Sequence, residues 1–164
     1  MNILFLCTGN SCRSILAEAL FNHKAPIGWQ AMSAGSQPTG TVNPYSLRIL
    51  ENHGIDATEL HSKTWNDLPK TPDIAITVCA SAAGETCPLY LGKAVKTHWG
   101  LSDPADATGS EQQILAVFES TYASLSNGIE AFLDLPLATL TDDPQQLKIE
   151  LDLIGQNFFN QSFQ

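Results

Sequence analysis

The chain has 164 residues, of which 43% are hydrophobic and 15% charged, a balance that suits one globular domain with a sizeable core and excludes disorder. A formal net charge of −9 argues against non-specific binding to nucleic acid or to an anionic membrane, so any anionic ligand must be held by a local positive feature. No apolar run approaches a bilayer span, the N-terminus MNILFLCTGN lacks a basic leader region, and the expectation is a soluble cytoplasmic protein.

The continuous apolar run at residues 2–6 predicts a parallel strand buried on both faces. The next segment, SILAEALFNH at 14–23, places Ile15, Leu16, Ala19 and Leu20 on one helical face. Residues 30–34 (QAMSA) predict a second strand, ended by Gly35, and the polar loop SQPTGTVNP follows. Pro44 opens a helix through Tyr45, Leu47, Ile49 and Leu50, and Gly54 closes it. Strands are predicted over 73–79 (DIAITVC) and, less sharply patterned, over 94–99 (AVKTHW).

Residues 111–133 carry a long helical pattern through Ile114, Val117, Phe118, Tyr122, Leu125, Ile129 and Phe132. Asp143 and Pro144 then form an N-cap and first-turn pair, with Leu147, Leu151, Ile154 and Phe158 recurring at helical spacing, so a C-terminal helix over about 143–158 extends the single 1–164 domain. The order β-α-β-α-β-β-α-α implies an α/β fold with a four-stranded parallel sheet flanked by helices. Ligands of such sheets bind beyond the carboxyl ends of the strands, which is where residue 7 stands.

The stretch there reads CTGNSCRS, with Cys7 and Arg13 in a C-x5-R spacing. A loop from a buried strand into a helix can point its N–H groups at one spot, and the helix N-terminus adds partial positive charge. Gly9 permits the tight turn, Arg13 offers a planar fork of donors to a tetrahedral oxyanion, Ser14 can donate to the Cys7 sulfur, and Asn10 can brace the loop from inside. The cradle Thr8, Gly9, Asn10, Ser11, Cys12, Arg13 and Ser14 would thus bind an oxyanion and favour Cys7 as an attacking thiolate. The bland alternative is a βα turn with a core cysteine and a solvated arginine. Cys12 reads as structural, with a protective disulfide to Cys7 as the lesser option.

Asp103, in WGLSDPA at 99–105, is either a turn residue or an acid for a leaving oxygen. Cys79 and Cys87, in VCASAAGETCP, are either a buried strand cysteine plus an unrelated loop cysteine or a thiol pair that returns electrons. They lack the short C-x2-4-C spacing and accompanying histidines of a zinc site. His98 stands beside the WGLSDPA loop; His23, His53 and His61 fall at helix ends or in loops, where solvated or capping roles are expected.

CTGNSCRS, SAG at 33–35, ITVCASAAGETCP at 76–88 and HWGLSDPA at 98–105 resemble, in order, the arsenate reductases built on the low-molecular-weight tyrosine phosphatase fold. The resemblance covers roughly residues 2–134 and implies a mechanism. Cys7 would attack arsenic(V), Arg13 and the loop amides would hold the arsenate oxygens, and Asp103 would protonate the departing hydroxide. Cys79 would attack Cys7 to release arsenite, and Cys87 would attack Cys79, leaving a Cys79–Cys87 disulfide for an external reductant: thioredoxin, or glutaredoxin with glutathione. Phosphate or sulfate would compete for the cradle, with a slow phosphatase-type side activity. Some members hold potassium through the equivalents of Asn10 and Ser33, with Thr64 and Asp67 as further candidates here. No organic cofactor is implied, and a monomer is expected. The rival readings are a low-molecular-weight protein tyrosine phosphatase using Cys7, Arg13 and Asp103, and a redox sensor without turnover. Ala105, where the phosphatases usually carry an aromatic residue, and the two further cysteines favour the reductase.

Overall fold

A computed structural model describes residues 1–80 and 92–159. Its strands are β1 (Asn2–Cys7), β2 (Gln30–Gly35), β3 (Ile74–Thr77) and β4 (Val95–His98), and its helices α1 (Arg13–Lys24), α2 (Pro44–Asn52), α3 (Glu111–Leu133), α4 (Leu137–Leu140) and α5 (Pro144–Phe158). The strands form one parallel sheet in the order β2-β1-β3-β4. β1 therefore lies at the point where the strand order reverses, and its carboxyl end faces the crevice that this topology opens.

Alternation along β1 sends Ile3, Phe5 and Cys7 into the larger core with α1, α3 and α5, and Leu4 and Leu6 into a smaller cluster with Met32 and Ala34. Trp65 and Leu68 pack against the smaller cluster. In the larger one, Phe21, Phe132 and Trp99 gather around Phe5 at ring separations of 5.6–6.3 Å, edge-on or tilted. Local signals explain the helix starts. Asn43 accepts from Tyr45 N–H before Pro44 begins α2, Ser110 and Gln113 close a capping box on α3, and Asp143 accepts from Gln146 N–H at the start of α5. No helix among the described residues is long and apolar enough to cross a membrane.

Three expectations differ from the structure. The third strand ends at Thr77, so Cys79 lies two residues past it rather than closing it, although the segment stays buried and Val78 N–H still donates to Leu6 O at 2.8 Å. Val117 falls on the solvent side of α3. Phe158 likewise keeps the helical period yet is 42% exposed, and the buried aromatic is Phe159, which leaves the helix at its C-cap.

Both outer strands meet side chains on their open edges. The Asn22 amide donates to Ala31 O at 3.0 Å and accepts from Ala31 N–H at 2.8 Å, as a neighbouring strand would. On β4, Lys148 Nζ donates to Lys96 O at 2.7 Å.

Gly35, at the end of β2, sits directly beneath the 7–13 loop: a Cβ there would collide with Thr8 O and press on Asn10 and Cys7 O. Gly35→Ala is therefore expected to lower unfolding stability by about 1–3 kcal/mol, measured by urea denaturation, because neither backbone can yield easily.

Candidate active site

The loop between β1 and α1 is shaped from outside. Its carbonyls are engaged by a surrounding belt: Gln37 N–H donates to Thr8 O (3.0 Å), Thr39 N–H to Gly9 O (3.0 Å), and Asn43 N–H to Ser11 O (3.1 Å). Ser46 Oγ adds a bond to Ser11 O at 3.0 Å and Ser62 Oγ one to Gly9 O at 3.2 Å. Carbonyls held outward leave the amide side of the loop to face Cys7, and Asn10 N–H donates to Cys7 Sγ at 3.2 Å. α1 begins with no side-chain cap, so its first turn adds donors of its own.

Asn10 is fully buried and takes a left-handed backbone conformation, φ 48°, which asparagine tolerates better than most residues. Three bonds hold it there. Its Oδ1 accepts from Lys63 N–H at 2.9 Å, and its Nδ2 donates to Ser14 Oγ at 2.7 Å and to Ser33 Oγ at 3.0 Å. Each hydroxyl that accepts from Asn10 keeps a proton to pass on. Ser33 donates to Glu18 Oε1 at 2.6 Å, and Ser14 Oγ, 2.8 Å from Cys7 Sγ, donates to the sulfur.

This network does not fit the potassium expected near Asn10 and Ser33. The Asn10 oxygen is oriented to Lys63 N–H, its amino group faces Ser33, and Glu18 already has a cation in Lys63, whose Nζ lies 3.7 Å from Oε1. Thr64 and Asp67 serve a 3-10 turn: Thr64 caps Trp65–Asp67 and bridges to Gly35.

Arg13 is 2% exposed at the start of α1. Its Nη1 donates to Leu101 O at 3.0 Å, and its Nη2 lies 3.6 Å from Asp103 Oδ2. The structure thus brings Cys7, Arg13, Ser14 and Asp103 to one sheet edge. Asp103 also caps the Pro104–Asp106 turn by accepting from Ala105 N–H at 3.0 Å, so the turn role and proximity to Arg13 coexist. Cys7 and Cys12 are buried free thiols, and burial pushes the Cys12 thiol above its ordinary value against the pull of Ser11 and Ser46, with Asp103 and Cys7 adding to the rise. Cys79 is buried and disulfide-bonded, to neither Cys7 nor Cys12. Cys87 lies outside the described residues.

The sequence reading missed the belt, Lys63 and the Leu101 carbonyl. The hydroxyls and glycine of 36–43 hinted at a structured loop, but pairing between backbone groups leaves no side-chain signature.

Residues 2–147 match the family model described as low molecular weight phosphotyrosine protein phosphatase. The chain belongs to this family. Among its relatives, an arsenate reductase of Halalkalibacterium halodurans is 36% identical over 133 residues, covering 80% of this chain and 94% of that one. The solved arsenate reductase of Archaeoglobus fulgidus superposes with a TM-score of 0.63 at 27% identity, covering 78% of this chain and 98% of that one. A thioredoxin-dependent arsenate reductase of Corynebacterium glutamicum gives a TM-score of 0.51 at 28% identity, covering 79% of this chain and 61% of that one. The family match stops inside α5, so residues 148–164 lie beyond it.

His98, at the end of β4, contacts Thr77 Oγ1 through Nδ1 at 2.7 Å, and burial lowers its pKa despite the Thr77 bond. A histidine whose pKa is lowered on folding binds fewer protons in the folded state, so stability is full above about pH 6.5 and is lost as the pH falls through the folded value. Urea unfolding at pH 7.5 and 5.0 should show this loss, and His98→Gln should make the loss smaller.

Proposed function

We propose that the protein is an arsenate reductase that works through the thiols of Cys7, Cys79 and Cys87, drawing its reductant from a dithiol protein of the thioredoxin type in a reducing cytoplasm. The observation that carries this reading is the arrangement of the cysteines: Cys79, buried past the end of β3, is paired with a cysteine outside the cradle, and Cys7 is a free thiol within it. Such a pair is what a thiol relay needs: electrons go to arsenic, and the disulfide that results is moved away from the nucleophile. A hydrolytic phosphatase has no use for it.

In this mechanism arsenate enters the cradle, with Arg13 and the loop amides on its oxygens. The Cys7 thiolate attacks arsenic(V); a sulfur–arsenic bond forms, an arsenic–oxygen bond breaks, and hydroxide leaves as water with the proton of Asp103. Asp103, 3.6 Å from Arg13 Nη2, stands beside the group that holds the substrate. The Cys79 thiolate then attacks Cys7 Sγ. The sulfur–arsenic bond breaks with its electron pair left on arsenic, arsenite departs, and a Cys7–Cys79 disulfide forms. Cys87 attacks Cys79, frees the Cys7 thiolate and leaves a Cys79–Cys87 disulfide for the reductant. Ser14 and Asn10 N–H, at 2.8 and 3.2 Å from the sulfur, are placed to stabilise the Cys7 thiolate before its attack and again when Cys87 releases it from the Cys7–Cys79 disulfide. Phosphate fits the same cradle but phosphorus(V) is not reduced by thiols, so it competes.

Arsenate added to the fully reduced protein, with no other reductant, should release one arsenite per chain and leave a Cys79–Cys87 disulfide detectable by peptide mass mapping; phosphate should leave all thiols free. Cys7→Ser should release none, Cys79→Ser should stop at the adduct, and Asp103→Asn should slow the reaction about 100-fold or more. Hydrolysis of an aryl phosphate with all thiols still free after arsenate would replace the reductase by a phosphatase.

A further inference from the structure

The C-terminal helix, of which only the first turn falls within the family match, is bonded to the strand that leads to Asp103. The family match ends at residue 147, whereas α5 runs to Phe158. α5 packs along β4: Thr97 Oγ1 donates to Asp152 Oδ1 at 2.6 Å, and Lys148 Nζ both donates to Lys96 O at 2.7 Å and lies 3.2 Å from Asp152. The next residue after β4 is Trp99, which is fully buried. Its N–H continues the ladder to Thr77 O at 2.8 Å, and its indole Nε1–H donates to Leu151 O, in the middle of α5, at 3.1 Å.

The aromatic just past α5 completes the grip. Phe159 lies flat on the Trp99 ring, 5.0 Å between centroids and 9° between planes. It reaches that place because residue 128 of α3 is glycine; a Cβ there would collide with the Phe159 ring. From Trp99 the chain reaches Leu101, whose carbonyl accepts from Arg13 Nη1 at 3.0 Å, and then Asp103, 3.6 Å from Nη2. A rigid anchor thus stands immediately before the short segment that carries both contacts to Arg13.

We infer that Phe159 and Leu151 are positioning residues for the acid: through Trp99 they fix the 99–103 segment, so that Asp103 faces the substrate held by Arg13. The inference rests on the reading of Asp103 as the proton donor in arsenate reduction. Most of the cradle is built from β1, α1 and the 37–46 and 62–63 belt, and Trp99 meets these elements through Phe5 of β1, while the segment after it reaches Arg13 through the Leu101 carbonyl. Disturbing the anchor should therefore slow protonation of the leaving oxygen far more than it weakens oxyanion binding, which loses at most the Leu101 contact of Arg13.

The test compares Phe159→Ala and Trp99→Phe with Asp103→Asn and the unaltered protein, all fully reduced. Trp99→Phe removes only the indole N–H and the second ring, which preserves the fold if Phe159→Ala does not. Single-turnover arsenite release is followed from pH 6 to 9, phosphate affinity is measured by competition, and Tm is recorded. Both anchor variants should release arsenite about tenfold more slowly at temperatures well below their Tm, since misplacement of a catalytic group by a fraction of an ångström to an ångström has costs of this order or larger. Their phosphate affinity should fall by much less than their rate, and their pH profile should flatten toward that of Asp103→Asn. A lowered Tm with full rate and an unchanged profile, or phosphate affinity falling in step with rate, overturns the inference while Asp103→Asn remains slow. Full rate in Asp103→Asn, or no arsenite from the unaltered protein, overturns the underlying reading and the inference with it.

Discussion

A loop can offer its amides to an anion only if its carbonyls have somewhere else to go. That constraint organises this molecule. The carbonyls of Thr8, Gly9 and Ser11 are drawn outward by Gln37, Thr39, Asn43 and Ser62, from segments that otherwise read as connecting loop, and by Ser46 in the first turn of α2. Asn10 fixes the loop from the inner side, in a backbone conformation that three side-chain bonds sustain. Gly35 lets β2 pass close enough for Ser33 to join that network. An acidic protein could thereby hold an acidic ligand without a surrounding field of positive charge, because Arg13, the loop amides and the start of α1 would act at short range in a buried setting.

The same loop gives its two cysteines different surroundings. Cys7 and Cys12 share one loop, but they sit in different company. Cys7 has an N–H and a hydroxyl directed at its sulfur. Cys12 has burial and weak hydroxyl contacts, and its thiol is harder to ionise than usual. Two identical side chains five positions apart thus differ in what points at them.

The sheet, its helices and the cradle were legible in the sequence because each rests on local chemistry. β1 is an apolar run, Pro44 and Pro144 mark first turns, and Cys7, Asn10, Arg13 and Ser14 are near neighbours whose side chains announce their use. Where bonds run between distant backbones, the signal vanishes: nothing in Gln37 or Thr39 as residue types says that their amides will find Thr8 and Gly9. Phe158 and Phe159 show a different limit. Helical spacing selects Phe158, but the helix ends there, and the first non-helical residue is free to turn inward onto Trp99. Cys79 illustrates a third: strand pairing stops at Thr77 while burial continues, so apolar pattern and hydrogen-bond ladder end at different residues.

The two side chains that touch the open edges of the sheet bear on how the protein behaves in a crowded solution. A four-stranded open sheet has two rims of unpaired backbone, each a template for a strand from another molecule. On β2 the Asn22 amide already occupies both polar groups of Ala31, and on β4 an ammonium group sits on the Lys96 carbonyl with α5 laid alongside. An incoming strand would have to displace an amide pair at one rim and bury a lysine at the other. Each rim thus carries a contact that pairing with a strand from another molecule would have to break.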